Sequence, residues 1–138
     1  MSFPILADVV GLIRRRPGVE YVDARAVDLD AEVLTLRGQG PTLRDPRVER
    51  LSHDRSQGIG VRVLYRGAWG FGARPGITGA SASAAAADAL IVAQAAARVR
   101  REPARLVEEE PGVGGWETEV EVDPFSCLLY TSPSPRDS

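Results

Sequence analysis

Residues Gly58 to Gly72 read Gly-Ile-Gly-Val-Arg-Val-Leu-Tyr-Arg-Gly-Ala-Trp-Gly-Phe-Gly, and they constrain the fold more than any other stretch. Ile59, Val61, Val63 and Tyr65 alternate with Gly60, Arg62, Leu64 and Arg66, which is the two-residue period of a strand with one apolar face. Arg66-Gly67 supplies a tight turn, and Ala68 to Gly72 reads as the returning strand of a hairpin. Glycines inside both arms weaken a strand, so they mark a bulge or a place where another element comes close.

The element able to come close follows directly. Thr78 to Arg101 is an alanine-rich helix, with Thr78 and Ser81 as candidate N-caps and Pro103 marking its end. Ala86, Ala89, Leu90, Ala93, Ala96 and Ala97 form a thin apolar stripe whose small side chains suit close packing on a sheet. A first helix is carried by Leu6, Val9, Val10 and Ile13, spaced i, i+3, i+4 and i+7. Arg14, Arg15 and Arg16 complement its C-terminal dipole, and Pro17-Gly18 stops it.

The rest of the chain is predicted to be mostly strand. Tyr21 to Leu29 and Glu32 to Arg37 alternate loosely, with a bend expected at Asp28-Leu29-Asp30. Gly38-Gln39-Gly40-Pro41 and Asp45-Pro46 are breakers, and Val48 to Ser52 is another short strand. Glu108-Glu109-Glu110 and the glycines after it read as an exposed linker. Trp116, Thr118, Val120 and Val122 then alternate with glutamates in one extended segment. The expected architecture is α+β: a mostly antiparallel, twisted sheet of about five strands against an N-terminal helix and a long alanine-rich helix. The expected organisation is one α+β domain over 1–107, a linker and extended segment over 108–126, and a tail over 127–138.

Composition excludes several functions. The net charge of −2 offers no field to recruit nucleic acid or an anionic membrane, and all 17 basic residues are arginine. The single cysteine, Cys127, cannot form an intrachain disulfide, and no secretory leader or run of about 18 apolar residues occurs. A cytoplasmic location is the expectation. His53 is the only histidine and has no partnered nucleophile, and with Cys127 it makes no metal-ligand spacing. Ser81 and Ser83 lack a nucleophile-elbow context and read as capping residues. Gly58, Gly60, Gly67, Gly70 and Gly72 match neither dinucleotide nor phosphate-loop fingerprints. No residue is therefore assigned a catalytic, cofactor-binding or metal-binding role.

The order of these segments carries a resemblance. A first helix precedes YVDARAVDLDAEVLTLRGQG, then GIGVRVLYRGAWGFGA, an alanine-rich helix ending VAQAAARVR, and VEVDPF. This order resembles the N-terminal domain of the TldD/PmbA family of zinc metallopeptidases, first described as modulators of DNA gyrase. It covers about residues 3 to 126, and Gly58 to Gly72 is its most specific piece. Two features depart from the family pattern. PTLRDPRVERLSHDRSQ is longer than the usual turn, and the glycine expected after the second strand has drifted into Gly38-Gln39-Gly40.

The resemblance implies metal-dependent peptide hydrolysis in a parent protein, with zinc held by a His-Glu-x-x-x-His helix and a later cysteine. Two histidines a helical turn apart face one metal, and the glutamate activates a water. That motif is absent here, and Cys127 does not correspond to the family cysteine. The resemblance also implies a peptide substrate and a homologous subunit, catalytic or non-catalytic, in a homo- or heterodimer. Cys127 to Ser138 (CLLYTSPSPRDS) resembles a translated transposon-end sequencing adapter. The expectation is thus an inactive N-terminal fragment whose catalytic domain is missing. A stand-alone peptide- or protein-binding module is the alternative, and a nucleotide-binding domain, argued from glycine density, is a third reading.

Overall fold

The computed structural model describes residues 3–39 and 44–126, in two compact units, 1–106 and 107–138. The first unit contains helix α1 (Phe3–Arg14), strands β1 (Val19–Gln39), β2 (Arg44–Tyr65) and β3 (Ala68–Pro75), and helix α2 (Gly79–Val99). The strands form one antiparallel sheet in the order β1-β2-β3. The architecture is α+β, as expected.

The sheet has three strands among the described residues, not about five. No bend interrupts β1 at Asp28-Leu29-Asp30. These residues pair in register with Gln57, Ser56 and Arg55 of β2. The Val48–Ser52 and Gly58–Tyr65 segments likewise belong to the single strand β2. The carboxylates that suggested a turn are instead cross-strand partners of basic side chains, an arrangement that stabilises sheet. Pro46 is tolerated because β3 reaches only to Gly58, which leaves this part of β2 on the sheet edge. In the second unit, Trp116 to Val122 forms no strand, and Trp116, Val120 and Val122 are exposed. A short 3₁₀ turn spans Pro124–Ser126.

The hairpin between β2 and β3 turns on Arg66 (φ 46°) and Gly67 (φ 76°). Two central residues with positive φ match the right-handed strand twist. The turn is tied down on several sides. Arg66 N donates to Gly18 O (3.0 Å), Gly67 N to Glu20 Oε2 (3.0 Å), and Ala104 N to Gly67 O (2.8 Å). The Arg100 guanidinium donates to Arg66 O (2.6 Å).

Both helices lie on one face of the sheet. Ile59, Val61 and Val63 are essentially inaccessible, and so are Ala82, Ala85, Ala89 and Ala93 of α2. Val9 and Ile13 of α1 complete this core. Thr78 is the N-cap of α2, its hydroxyl oxygen accepting from Ser81 N (3.0 Å). α2 is long and apolar enough to cross a membrane by length and composition, but its alanine face is buried against the sheet.

The interior glycines of β3 explain how α2 sits so close. A Cβ on Gly70 would lie 2.1 Å from Ala89 O, and one on Gly72 would lie 2.2 Å from Ala85 O. Helix backbone occupies the space a side chain would need. Gly70→Ala must push α2 away, and is expected to cost about 2 kcal/mol or more. Gly11, inside α1, is the opposite case: a methyl group added to it would meet nothing within 4 Å. Gly11→Ala is expected to raise stability by about 0.5–1 kcal/mol. Urea denaturation of both variants checks this pair of opposite shifts.

Candidate functional site

The residues with chemical potential fall into three places, and none is an enclosed cleft. The first is the sheet face opposite the helices. Tyr21 and Trp69 are the direct cross-strand neighbours of Leu64. Their rings meet edge to face at 5.9 Å, and Arg62 stacks on Trp69 at 5.0 Å. Leu64, on the face opposite Ile59, Val61 and Val63, is thereby only 1% exposed. Asp23 accepts both Arg62 guanidinium bonds, at 2.9 and 2.5 Å. That bonding raises the affinity of Arg62 for its proton. Burial, then the charge of Asp23, pushes the Tyr21 hydroxyl upward. The group is internally satisfied: each charge already has its partner.

The second place is the arm formed where β1 and β2 run on beyond β3. Asp28 accepts from Arg55 at 3.2 and 2.9 Å and from Gln57 at 2.8 Å. Next along the strand, the His53 ring bonds Asp30, and Arg37 pairs with Glu49 at 2.8 Å nearer the tip. His53 is thus a cross-strand partner in an exposed ladder. It is not brought together with a nucleophile.

The third is a groove between α1 and α2, floored by Val9, Ile13, Ala86 and Leu90 and rimmed by Leu12, Ile91 and Arg16. Arg14, Arg15 and Arg16 are exposed at this end of α1.

The remaining sequence candidates have structural positions. Ser81 Oγ donates to Pro75 O (2.8 Å) and belongs to the α2 cap, and Ser83 lies exposed on the groove rim. Glu108 to Glu110 are exposed in the second unit. Cys127 and the adapter-like tail lie outside the described residues. Among the described residues no three His, Cys, Asp or Glu side chains cluster as a metal site. The donor set that zinc requires is not assembled there.

What these elements define is a class of α+β fold: an antiparallel hairpin clasped by a small-residue helix. Residues 37–96 match the family model described as PmbA/TldA metallopeptidase domain 1, so this stretch is similar to the first domain of that family. The matched stretch takes in the end of β1, all of β2 and β3, and most of α2. No curated protein matches the chain.

The arm ladder has a defined pH signature. Hydrogen bonds from Arg55, then Gln57, hold the Asp28 carboxyl below its ordinary range. A carboxyl depressed in the fold contributes stability above its unfolded value, and that contribution is lost as pH falls through the folded value. Arm amides are therefore expected to lose NMR dispersion as pH drops below about 4. Core amides of β2 and β3 should keep theirs over the same range. In Asp28→Asn the arm should already be loosened at pH 7, with a smaller acid step.

Proposed function

We propose that this chain is the first domain of a TldD/PmbA-type metal-dependent peptidase, in which peptide hydrolysis is carried out by a different part of the parent protein. The match of residues 37–96 to a first metallopeptidase domain carries this reading. The chemistry of the described residues is consistent with a scaffold role. Asp23, Asp28, Asp30 and Glu49 are used in cross-strand pairs with Arg62, Arg55, His53 and Arg37, and Asp88 of α2 pairs with Arg74 of β3. Zinc would be held by the parent's catalytic residues, and no step is assigned to it here. The parent acts on peptides in the cytoplasm and pairs with a homologous subunit, either a second copy or a non-catalytic relative. The domain's contribution is to wall the peptide-access cavity and support that pairing.

A second reading, a stand-alone binding module, is favoured by one observation. Among the described residues no strand pairs with the outer edge of β1, and such an edge can accept a partner strand.

Two measurements separate the readings. The 138-residue chain, incubated with zinc and a fluorogenic peptide library, should show no cleavage above background. Metal-dependent cleavage by this chain alone would overturn the scaffold role. Sequencing the locus beyond codon 126 should reveal an open frame leading to a His-Glu-x-x-x-His pattern, or to a related domain lacking it. A stop codon at that point would favour the binding module.

A further inference from the structure

The end of the sheet at the Arg66-Gly67 turn gathers arginines from three separate segments of the chain. Arg66 N donates to Gly18 O (3.0 Å). The Arg66 guanidinium reaches back beside Gly18, where an added Cβ would lie 3.1 Å from its Nε. Arg14, Arg15 and Arg16 precede Gly18 at the end of α1. From the other side, the Arg100 guanidinium donates to Arg66 O (2.6 Å), which seats the end of α2 on the same turn. Arg101 follows it in the chain. Arg98 lies one helical turn beyond Gln94, which lines the α1–α2 groove together with Arg16.

All seven arginines are exposed, and none has an ion pair among the described residues. Arg37, Arg55, Arg62 and Arg74 differ, since each of them holds a carboxylate. The acids beside the turn are Glu20, whose carboxylate accepts from Gly67 N (3.0 Å), and Glu102. Asp8 lies almost two turns back along α1. The C-terminal dipoles of α1 and α2 both end here and offset about one unit charge between them. Seven guanidinium groups exceed these acids and dipoles together. The patch is therefore strongly cationic in a chain whose net charge is −2.

We propose that this patch binds an acidic segment of the peptide on which the parent acts. Guanidinium groups suit carboxylates because each fork can donate two parallel hydrogen bonds to one partner. Clustered arginines are a recurrent means of recognising acidic motifs. A long polyanion fits less well. The field of the patch decays over about 8 Å at physiological ionic strength. A nucleic-acid duplex extending past it meets a chain that is acidic as a whole. A short acidic segment touches the patch alone. This inference rests on the peptide-handling role proposed above and names the charge class of the peptide.

Fluorescence anisotropy of labelled hexaglutamate with the full chain tests it, with circular dichroism as a folding control. Hexaglutamate should bind at about 50 mM salt and weaken steeply toward about 300 mM, as screening requires, and uncharged hexaglutamine should not bind. Arg16→Gln with Arg98→Gln should weaken binding about fivefold or more. Arg25→Gln with Arg50→Gln removes the same charge from exposed arginines of the sheet that have no ion pair. That pair should change binding by less than about twofold. Arg15→Gln with Arg101→Gln, a second pair in the patch, should repeat the loss and keeps the test decisive if the first pair does not fold. Equal losses from the patch and sheet pairs would overturn the patch, because binding would then follow net charge alone. No binding of hexaglutamate up to about 1 mM would also overturn it. The first-domain reading, tested by cleavage and sequencing, would then still stand. Tighter binding to a short DNA duplex or to phosphatidylglycerol vesicles, lost in the same patch variants, would assign the patch to nucleic acid or to a lipid surface instead.

Discussion

The structure depends on the contact between the backbone of α2 and the glycines of β3. Gly70 and Gly72 remove the side chains that would hold the helix off the sheet, and Ala85, Ala89 and Ala93 remove them from the other side. Close-packed interiors gain dispersion energy through such short separations, and the hydrophobic area buried is contributed chiefly by β2. Ile59, Val61 and Val63 form the bulk of the core beside this contact. The turn at Arg66-Gly67 fixes the register of the pair. Its bonds to Gly18, Glu20, Arg100 and Ala104 draw the end of α1, the start of β1 and the chain beyond α2 onto one point.

Much of this unit is legible in sequence because its signals are local. The glycine-bearing hairpin, the alanine stripe, the Thr78 cap and the Pro17-Gly18 stop all sit within a few residues of what they determine. Asp28-Leu29-Asp30 is the instructive failure. Closely spaced aspartates resemble a turn, but their partners Arg55, Gln57 and His53 lie more than 20 residues away in the chain. A period-two pattern is equally insufficient alone: Trp116 to Val122 alternates well and pairs with nothing among the described residues. Strand formation needs a partner, and single-sequence periodicity does not supply one.

The candidate site is legible mainly as a lack of motif. His53 shows no partnered nucleophile in the sequence, and in the fold it is a cross-strand residue bonded to Asp30. The aromatic bracket around Leu64 leaves no local signal, because it assembles Tyr21, Arg62 and Trp69 from three strands. The α1–α2 groove is equally hidden, since Leu12 and Ile91 look like core positions until the packing angle leaves them outside. The likeness of residues 37–96 to a PmbA/TldA first domain gives these surfaces a context in the proposed role, where a first domain contributes shape and contacts to a peptidase assembly.

Native-state hydrogen exchange at pH 7 tests most directly whether the helix-on-glycine hairpin organises the chain. Amides of residues 59–65, 69–72 and 82–93 should exchange last and together, at a free energy near that of global unfolding. Amides of the arm, 28–39 and 44–57, should open earlier and separately. Arm amides as slow as those of the hairpin in a monomeric sample, or a helix α2 that exchanges before β3, would contradict it.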